Sequence, residues 1–322
     1  MPLQYRIVSW LVLIIVALSG GNARTQTAAP MKIVVPAPPG GALDTLTRLL
    51  ADQVARSQGL TIVIEHRPGA NTVIGTEAVS RAAPDGHTLL TNAPAAFVIN
   101  PHLQKLNYDP LAGFEPICSL VSFPEVIVVN SALPYRTLGD LLGAARAKPG
   151  QLTLASIGPA STVQIAFEML KRAADVNIIF VPYPGIAPAV SALLGEHVTS
   201  YFGNYRDVAE HIGAGKVRAL ATASRSRIDT MPDLPTVAES GFKDFELEGW
   251  FGLFAPAKTP KEKIAQIAEW FSAALHAPDV RAKLTRQGLY PVGTCGADFA
   301  VYIRKQYDEY GRIIREANIK AE

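Results

Sequence analysis

The groups in this chain best suited to chemistry belong to the main chain. In the run Val34-Val35-Pro36-Ala37-Pro38-Pro39-Gly40-Gly41-Ala42-Leu43-Asp44, a glycine pair follows an apolar, β-branched segment. After it, apolar residues (Leu43, Leu46, Leu50, Val54) recur at helical spacing. This pattern predicts a strand, a Pro/Gly turn and a helix. Glycines at such a turn leave N–H groups uncovered. Together with the positive end of the helix dipole, those groups attract a carboxylate or phosphate. A tight β–α connection that holds nothing would read the same way. Asp44 stands near the third helical position, where a negative charge suits the dipole. Capping and direct ligand contact are both open to it, with capping favoured.

Side chains offer less. His66, His87, His102, His197, His211 and His276 are scattered, and none falls at the i, i+4 spacing of a helical metal site. Ser161 lacks a Gly-x-Ser-x-Gly elbow. No acid, base or nucleophile set emerges, so no catalytic residue, metal ligand or cofactor is expected. The two cysteines, Cys118 and Cys295, could pair in an oxidising compartment. Two unpaired, partly buried thiols are the favoured expectation.

The elements that must position these groups follow from patterning. A chain of 322 residues can bury a large core in two domains. Its net charge of +2, with no basic block, gives no sign of nucleic acid as a partner. Residues 1–29 read as a signal peptide and lead-in: one charge at Arg6, an apolar run over 7–18, then the small and polar Ser19-Gly20-Gly21-Asn22-Ala23. The run is shorter than the roughly 20 residues needed to span a bilayer, although a retained anchor is the competing possibility. Cleavage is expected after Ala23, with Ala28 and Ala29 as alternatives.

Beyond the leader, short apolar strands alternate with amphipathic helices, the pattern of a doubly wound α/β sheet. Strands are predicted over 31–35, 61–64, 87–91 and 97–99, and helices over 42–57 and 72–82. A linker-like segment, 100–116, leads to a strand over 126–129 and a helix over 138–147. A second block has strands 152–155, 178–181, 198–202 and 217–222 with helices 162–173, 186–194 and 205–213. The chain then returns through a short helix capped by Thr236, a strand over 252–255 and helices 260–275, 278–287 and 296–317. Two lobes are expected: 30–124 with 223–322, and 125–222, crossing near 123–126 and 221–224. Ligands in open α/β sheets sit at strand carboxyl ends. Loops 36–42, 91–96, 156–162, 182–186 and 202–205 should therefore face a cleft between the lobes. Of the aromatics at strand ends in the second block, Tyr183 and Phe202 are candidates for its wall or for the core.

Several stretches, in order and spacing, resemble one family. They are Val35-Pro36-x-x-Pro39-Gly40-Gly41-x-x-Asp44, Glu65-His66-Arg67-Pro68-Gly69-Ala70, Ile74-Gly75-Thr76, Ala83-Pro84-Asp85-Gly86, Tyr108-Asp109-Pro110 and Val181-Pro182-Tyr183. Val217-Arg218-Ala219-Leu220-Ala221, Leu234-Pro235-Thr236-Val237-Ala238-Glu239 and Trp250-Phe251-Gly252-Leu253-Phe254-Ala255-Pro256 complete the set. The mature chain resembles, over nearly its whole length, the Bug family of periplasmic solute receptors, the extracytoplasmic component of tripartite tricarboxylate transporters. The resemblance implies a two-lobed, type II-like periplasmic binding protein, each lobe a mixed sheet flanked by helices. Residues 38–42 (Pro38, Pro39, Gly40, Gly41, Ala42) would then present main-chain groups and water to a ligand carboxylate. Ser156, Ser161 and Thr162 would answer with hydroxyls from the second lobe, in a neutral site that can release its ligand. Ser161 could instead only cap the helix behind it. Arg67 looks structural in this family.

Departures from the family pattern bear on specificity. Ala37 stands where an aromatic is frequent, Gln164 where a His is usual, and Thr91-Asn92-Ala93 where Thr-His is usual. Tyr183-Pro184-Gly185 replaces a Tyr-Lys-Gly pattern, and Gly203-Asn204 lacks the Asp that many members place before the Asn. The missing Asp favours an organic mono- or dicarboxylate, aromatic ones included, over aspartate or glutamate. The implied partners are that ligand and integral-membrane transporter subunits, with the receptor itself a periplasmic monomer. A sensor that signals to a membrane kinase would bind its ligand in the same way. A two-lobed enzyme is disfavoured for want of a catalytic set.

Overall fold

Apolar runs and their punctuation lay down the elements of the computed structural model, which describes residues 30–158, 161–243 and 245–320. The expected signal segment lies outside the described residues. Strand β1 (Met31–Val35) is followed by helix α1 (Ala42–Gln58), β2 (Ile62–His66), α2 (Val73–Ser80) and β3 (Thr88–Asn92). The apolar stripe of α1, Leu43, Leu46, Leu50 and Val54, is buried. Leu46, Leu50 and Val54 pack in one cluster with Ile33, Leu253 and Phe271. Gly59, with φ +66°, closes α1 in a left-handed conformation open to glycine at little cost.

Next come two single-turn helices, α3 (Ala95–Val98) and α4 (Asn100–Leu103). The strand expected over 97–99 is therefore a correction. A short apolar run reads alike as buried strand or buried helix. Here Pro94, at φ −54°, starts a helical turn, and Phe97 stacks on Phe254 with ring centroids 4.1 Å apart.

β4 (Phe114–Asn130) has 17 residues, far beyond the usual strand length of about 5–6. After it come α5 (Leu138–Ala147), β5 (Thr153–Ile157), α6 (Thr162–Ala173), β6 (Ile179–Tyr183), α7 (Ile186–Leu194), β7 (Ser200–Asn204), α8 (Tyr205–Gly213) and β8 (Val217–Thr222). β9 (Glu248–Pro256), α9 (Lys261–His276), α10 (Pro278–Arg286), β10 (Tyr290–Cys295) and α11 (Ala297–Glu316) complete the order. Thr236 and Glu239 exchange the two bonds of a capping box, at 3.0 and 2.9 Å. No helix follows them, because the chain turns at once through Gly241 at φ +111°.

The long strand is shared by two sheet regions. Its residues 114–124 pair antiparallel with β9, and its residues 118–122 with β10. Residues 125–130 pair antiparallel with β7 and β8. On the first side β1 lies parallel between β2 and β3, and β3 meets β9 antiparallel. On the second, β5 lies parallel between β6 and β7. The result is one continuous curled path, β2-β1-β3-β9-β4-β7-β5-β6, with β8 and β10 also on β4.

The register of β4 against β10 sets Cys118 directly across from Cys295, with Cα atoms 4.0 Å apart, and the two form a disulfide. This corrects the expectation of two unpaired thiols. The segment that carries Cys295 holds Pro291 and Gly293 and lacks a strand-like pattern, so nothing in the sequence places it beside Cys118. On the far side of the core α11 buries Phe299, Ile303 and Tyr310, and its Gln306 Oε1 accepts a 2.9 Å bond from Trp250 Nε1–H.

Candidate functional site

A cleft of about 1070 Å³ is lined from both sheet regions. Four helices present their first turns to it. Ala42 opens α1, Ser161 and Thr162 open α6, Gly185 and Ile186 open α7, and Asn204 and Arg206 open α8. Each start is encoded locally. Ser161 Oγ accepts the Gln164 N–H at 3.2 Å, and Asn204 Oδ1 accepts the Arg206 N–H at 2.9 Å. Gly41 and Gly185, the caps of α1 and α7, have no side chain to offer. Their helices therefore end in N–H groups that only solvent or a ligand can satisfy. The positive dipole ends of α6 and α7 face the cleft with no acid in their first turns and favour an anion there, whereas α1 and α8 carry Asp44 and Asp207 in theirs.

Of the residues singled out from the sequence, Ala42, Ala93, Ser161, Thr162, Gly185, Gly203 and Asn204 line this cleft. The others sit elsewhere. Pro38, Pro39, Gly40 and Gly41 are exposed and Ala37 is half-buried, and none of the five lines the cleft. The Gly40 N–H is donated to Asp44 Oδ2 at 2.8 Å. Asp44 itself is buried and also accepts from His66 Nε2 at 2.8 Å and Arg48 Nε at 3.1 Å. Burial pushes its carboxyl up, but the bonds from Gly40, Arg48 and His66 outweigh that and hold it below its ordinary value. Asp44 thus braces the β1–α1 turn.

Thr91 Oγ1 bonds Thr47 Oγ1 at 2.8 Å, and Asn92 Nδ2–H donates to Thr76 Oγ1 at 2.8 Å. Both side chains are committed beneath the cleft surface. Phe202 is fully buried in the core. Tyr183 packs half-buried beside the Val126–Tyr201 cluster. Gln164 is half-buried on α6. Ser156 is fully buried, and its Oγ has no hydrogen-bond partner. Pro159 and Ala160, in the same loop, lie outside the described residues.

The structure adds residues that the sequence does not single out. Asn71 Nδ2–H donates to Asn100 Oδ1 at 3.0 Å, and Asn100 Nδ2–H donates to the Asn71 carbonyl at 2.9 Å. This pair clamps Ala70-Asn71-Thr72, three successive non-glycine residues at φ +47°, +48° and +74°, beside the cleft. Such conformations cost energy and persist only where their surroundings enforce them.

Glu125 and Asp207 also line the cleft. Glu125 is 4% exposed and its Oε2 has no partner. Burial, and then the Asp207 carboxylate, push it up to about 8. Asp207 Oδ2 accepts the Tyr201 hydroxyl at 2.9 Å. Burial raises the Asp207 carboxyl, and Tyr201 and Arg206 only partly offset this. Tyr201 reaches Asp207 because residue 203 is glycine: a Cβ there would strike the Tyr201 ring. One signal for Glu125 is present in the sequence, a single acid in the run Phe123-Pro124-Glu125-Val126-Ile127-Val128-Val129. An ionisable group in so apolar a strand marks a site worth testing. Among the described residues no group of three or more His, Cys, Asp or Glu could hold a metal ion.

Comparison with known proteins places this geometry. The Bordetella pertussis protein BugT is 32% identical over 302 residues, covering 93% of this chain and 92% of BugT. An R. palustris protein solved with adipate superposes with a TM-score of 0.76 at 28% identity, over 90% of this chain and 98% of that one. MatC from Rhodopseudomonas palustris, solved with bound malate, gives 0.72 at 29% identity, over 88% and 98%. The model of the tripartite tricarboxylate transporter family receptor, TctC, matches residues 46–319. With its two sheet regions, its curled sheet and the cleft between them, the chain belongs to this family of solute-binding receptors.

Proposed function

We propose that this protein is exported to the periplasm by its N-terminal signal segment, where as a monomer it captures a small organic carboxylate and delivers it to integral-membrane transporter subunits. The ligand sits between two lobes, residues 30–124 with 223–322 and residues 125–222. One carboxylate lies against the first turn of α1 at Ala42, the residue after Gly41, and the hydroxyls of Ser161 and Thr162 meet the ligand or its waters from α6. The chain acts as a receptor without a catalytic step of its own.

The convergence of four helix N-termini on one cleft carries this proposal, two of them with glycine caps. Adipate and malate, the ligands of the two R. palustris relatives, support the ligand class. A ligand bound only by the folded state raises the melting temperature. A thermal-shift screen of short aliphatic and aromatic carboxylates, followed by titration calorimetry, is expected to find at least one that binds with one-to-one stoichiometry. If no carboxylate in the panel raises the melting temperature, the proposal fails.

A further inference from the structure

Helix N-termini would account for an anion bound in the cleft but leave its acidic wall without a role. Glu125 is more than nine-tenths buried, lines the cleft and has an oxygen with no partner. Burying an ionisable carboxyl in this way is costly, and a glutamine of the same shape would avoid the part of the cost that comes with ionisation. Asp207, on α8, faces the same space. Among the described residues that line the cleft, Arg206 is the one cation. It is exposed, and it acts on Asp207. No cationic side chain offsets Glu125.

The walls around these acids are aromatic. Phe123 shares a face of β4 with Glu125, and its ring lies 4.9 Å from that of Phe251, tilted by 50°. Gly249 leaves room for it, since a Cβ there would strike the Phe123 ring. Tyr201, bonded to Asp207, lines the same cleft. Carboxylates set among aromatic faces are the surroundings that hold a cationic nitrogen.

We propose that the cleft selects a carboxylate that also carries a cationic nitrogen, an amino- or quaternary-ammonium carboxylate, with the nitrogen seated at Glu125 and Asp207 against Phe123, Phe251 and Tyr201. This rests on the carboxylate-receptor function proposed above and narrows its ligand. A plain dicarboxylate would set its second anion against Asp207 and keep Glu125 in its neutral form, whereas a cationic nitrogen is attracted by both carboxyls and lets Glu125 ionise. The missing Asp ahead of Asn204 argues, on sequence alone, against an amino-acid ligand. Glu125 and Asp207 bring carboxylates to the cleft from two other positions.

The test is titration calorimetry and thermal shift on the whole mature protein at pH 7, with pairs matched in length. The pairs are glutarate and γ-aminobutyrate, adipate and δ-aminovalerate, terephthalate and para-aminomethylbenzoate, with the N-trimethyl forms alongside. Butyrate and benzoate serve as anion-only probes, and butylamine and benzylamine as cation-only probes. The nitrogen-bearing member of the best-binding pair is expected to bind at least about tenfold tighter, the scale of a hydrogen bond to a charged group. Its binding should release a proton as Glu125 ionises, read from the dependence of the heat on buffer ionisation enthalpy.

Glu125→Gln should abolish the proton release and, like Asp207→Asn, level the pair, with the unliganded melting temperature checked in each. Dicarboxylates binding as well as or better than their partners would overturn the inference and leave the carboxylate receptor standing. So would a preference that survives both substitutions. Amines binding as tightly as aminocarboxylates would keep the acidic subsite and sink the carboxylate assignment. A panel without any binder overturns both.

Discussion

The two walls of the cleft are built on opposite electrostatic plans. One is made of helix beginnings: Ala42, Ser161, Thr162 and Gly185 present main-chain dipoles and hydroxyls with no formal charge. The other is made of side chains: Glu125 and Asp207 bring two carboxyls among aromatic rings, with one oxygen unpaired. The first can hold a carboxylate without an ion pair, which suits a receptor that must also let go. The second carries an unfavourable burial that the unliganded protein bears by itself. If the proposals above hold, affinity for the anion is generic, whereas discrimination between ligands falls to the acidic wall.

The largest effect that would break this contrast is on stability against pH. Glu125 has its folded value raised to about 8 from an ordinary 4.5. Between those values the native state holds a proton that the unfolded state has lost. Unliganded stability therefore falls as pH rises through this window, by up to about 1.4 kcal/mol per pH unit for one proton. Asp207, also raised, acts with the same sign. Asp44 and Glu65, which are lowered, act with the opposite sign and only in acid. Thermal melts from pH 5 to 9 should show the decline in wild type and a flatter curve for Glu125→Gln. Parallel curves would remove the buried acid from the account.

Next in size is Gly41→Val. The backbone at Gly41 is extended (φ −76°, ψ 173°), and an added Cβ would meet nothing closer than the Pro38 carbonyl at 3.9 Å. The variant should fold normally yet crowd the anion, weakening carboxylate binding by about 1–3 kcal/mol, or roughly fivefold to 150-fold. Calorimetry with a ligand from the screen decides. Unchanged affinity in a folded protein would move the anion off α1.

The smallest expected effect comes from the double change Ser161→Ala with Thr162→Ala. Two neutral hydrogen bonds, partly replaceable by water, contribute about 1 kcal/mol together, or roughly fivefold in affinity. Ser161 also caps α6, and losing that cap costs about 1 kcal/mol of stability. Unliganded melting temperature must be read beside affinity. A protein that melts lower but binds normally would show these hydroxyls to be caps alone.

What can be read from the sequence follows the range of the physics involved. Helices 138–147, 162–173, 186–194 and 205–213 coincide with α5 to α8 residue for residue, because their caps and apolar stripes are local. The same locality puts Ser161, Thr162, Gly185 and Asn204 at helix starts from their spacing alone. The first half of β4 escapes such a reading because Pro116 and Pro124 interrupt its pattern and its partners lie more than 120 residues away in β9. β10 is hidden in the same way, and with it the Cys118–Cys295 bond. Asp44 reads as a ligand candidate because nothing local reveals that His66 will arrive to bond it. The acidic wall is only half legible: Glu125 stands out as a lone acid in an apolar run, but Asp207 joins it only when α8 folds against β4.

The changeover in β4 has a mechanical meaning. Pro124 still pairs with Glu248 of the first sheet region, and Glu125 is the first residue to pair into the second, opposite Asn204. The cleft acid whose Oε2 has no partner thus sits in the stretch of strand that both regions share, so a shift of its backbone would be felt on both sides of the cleft.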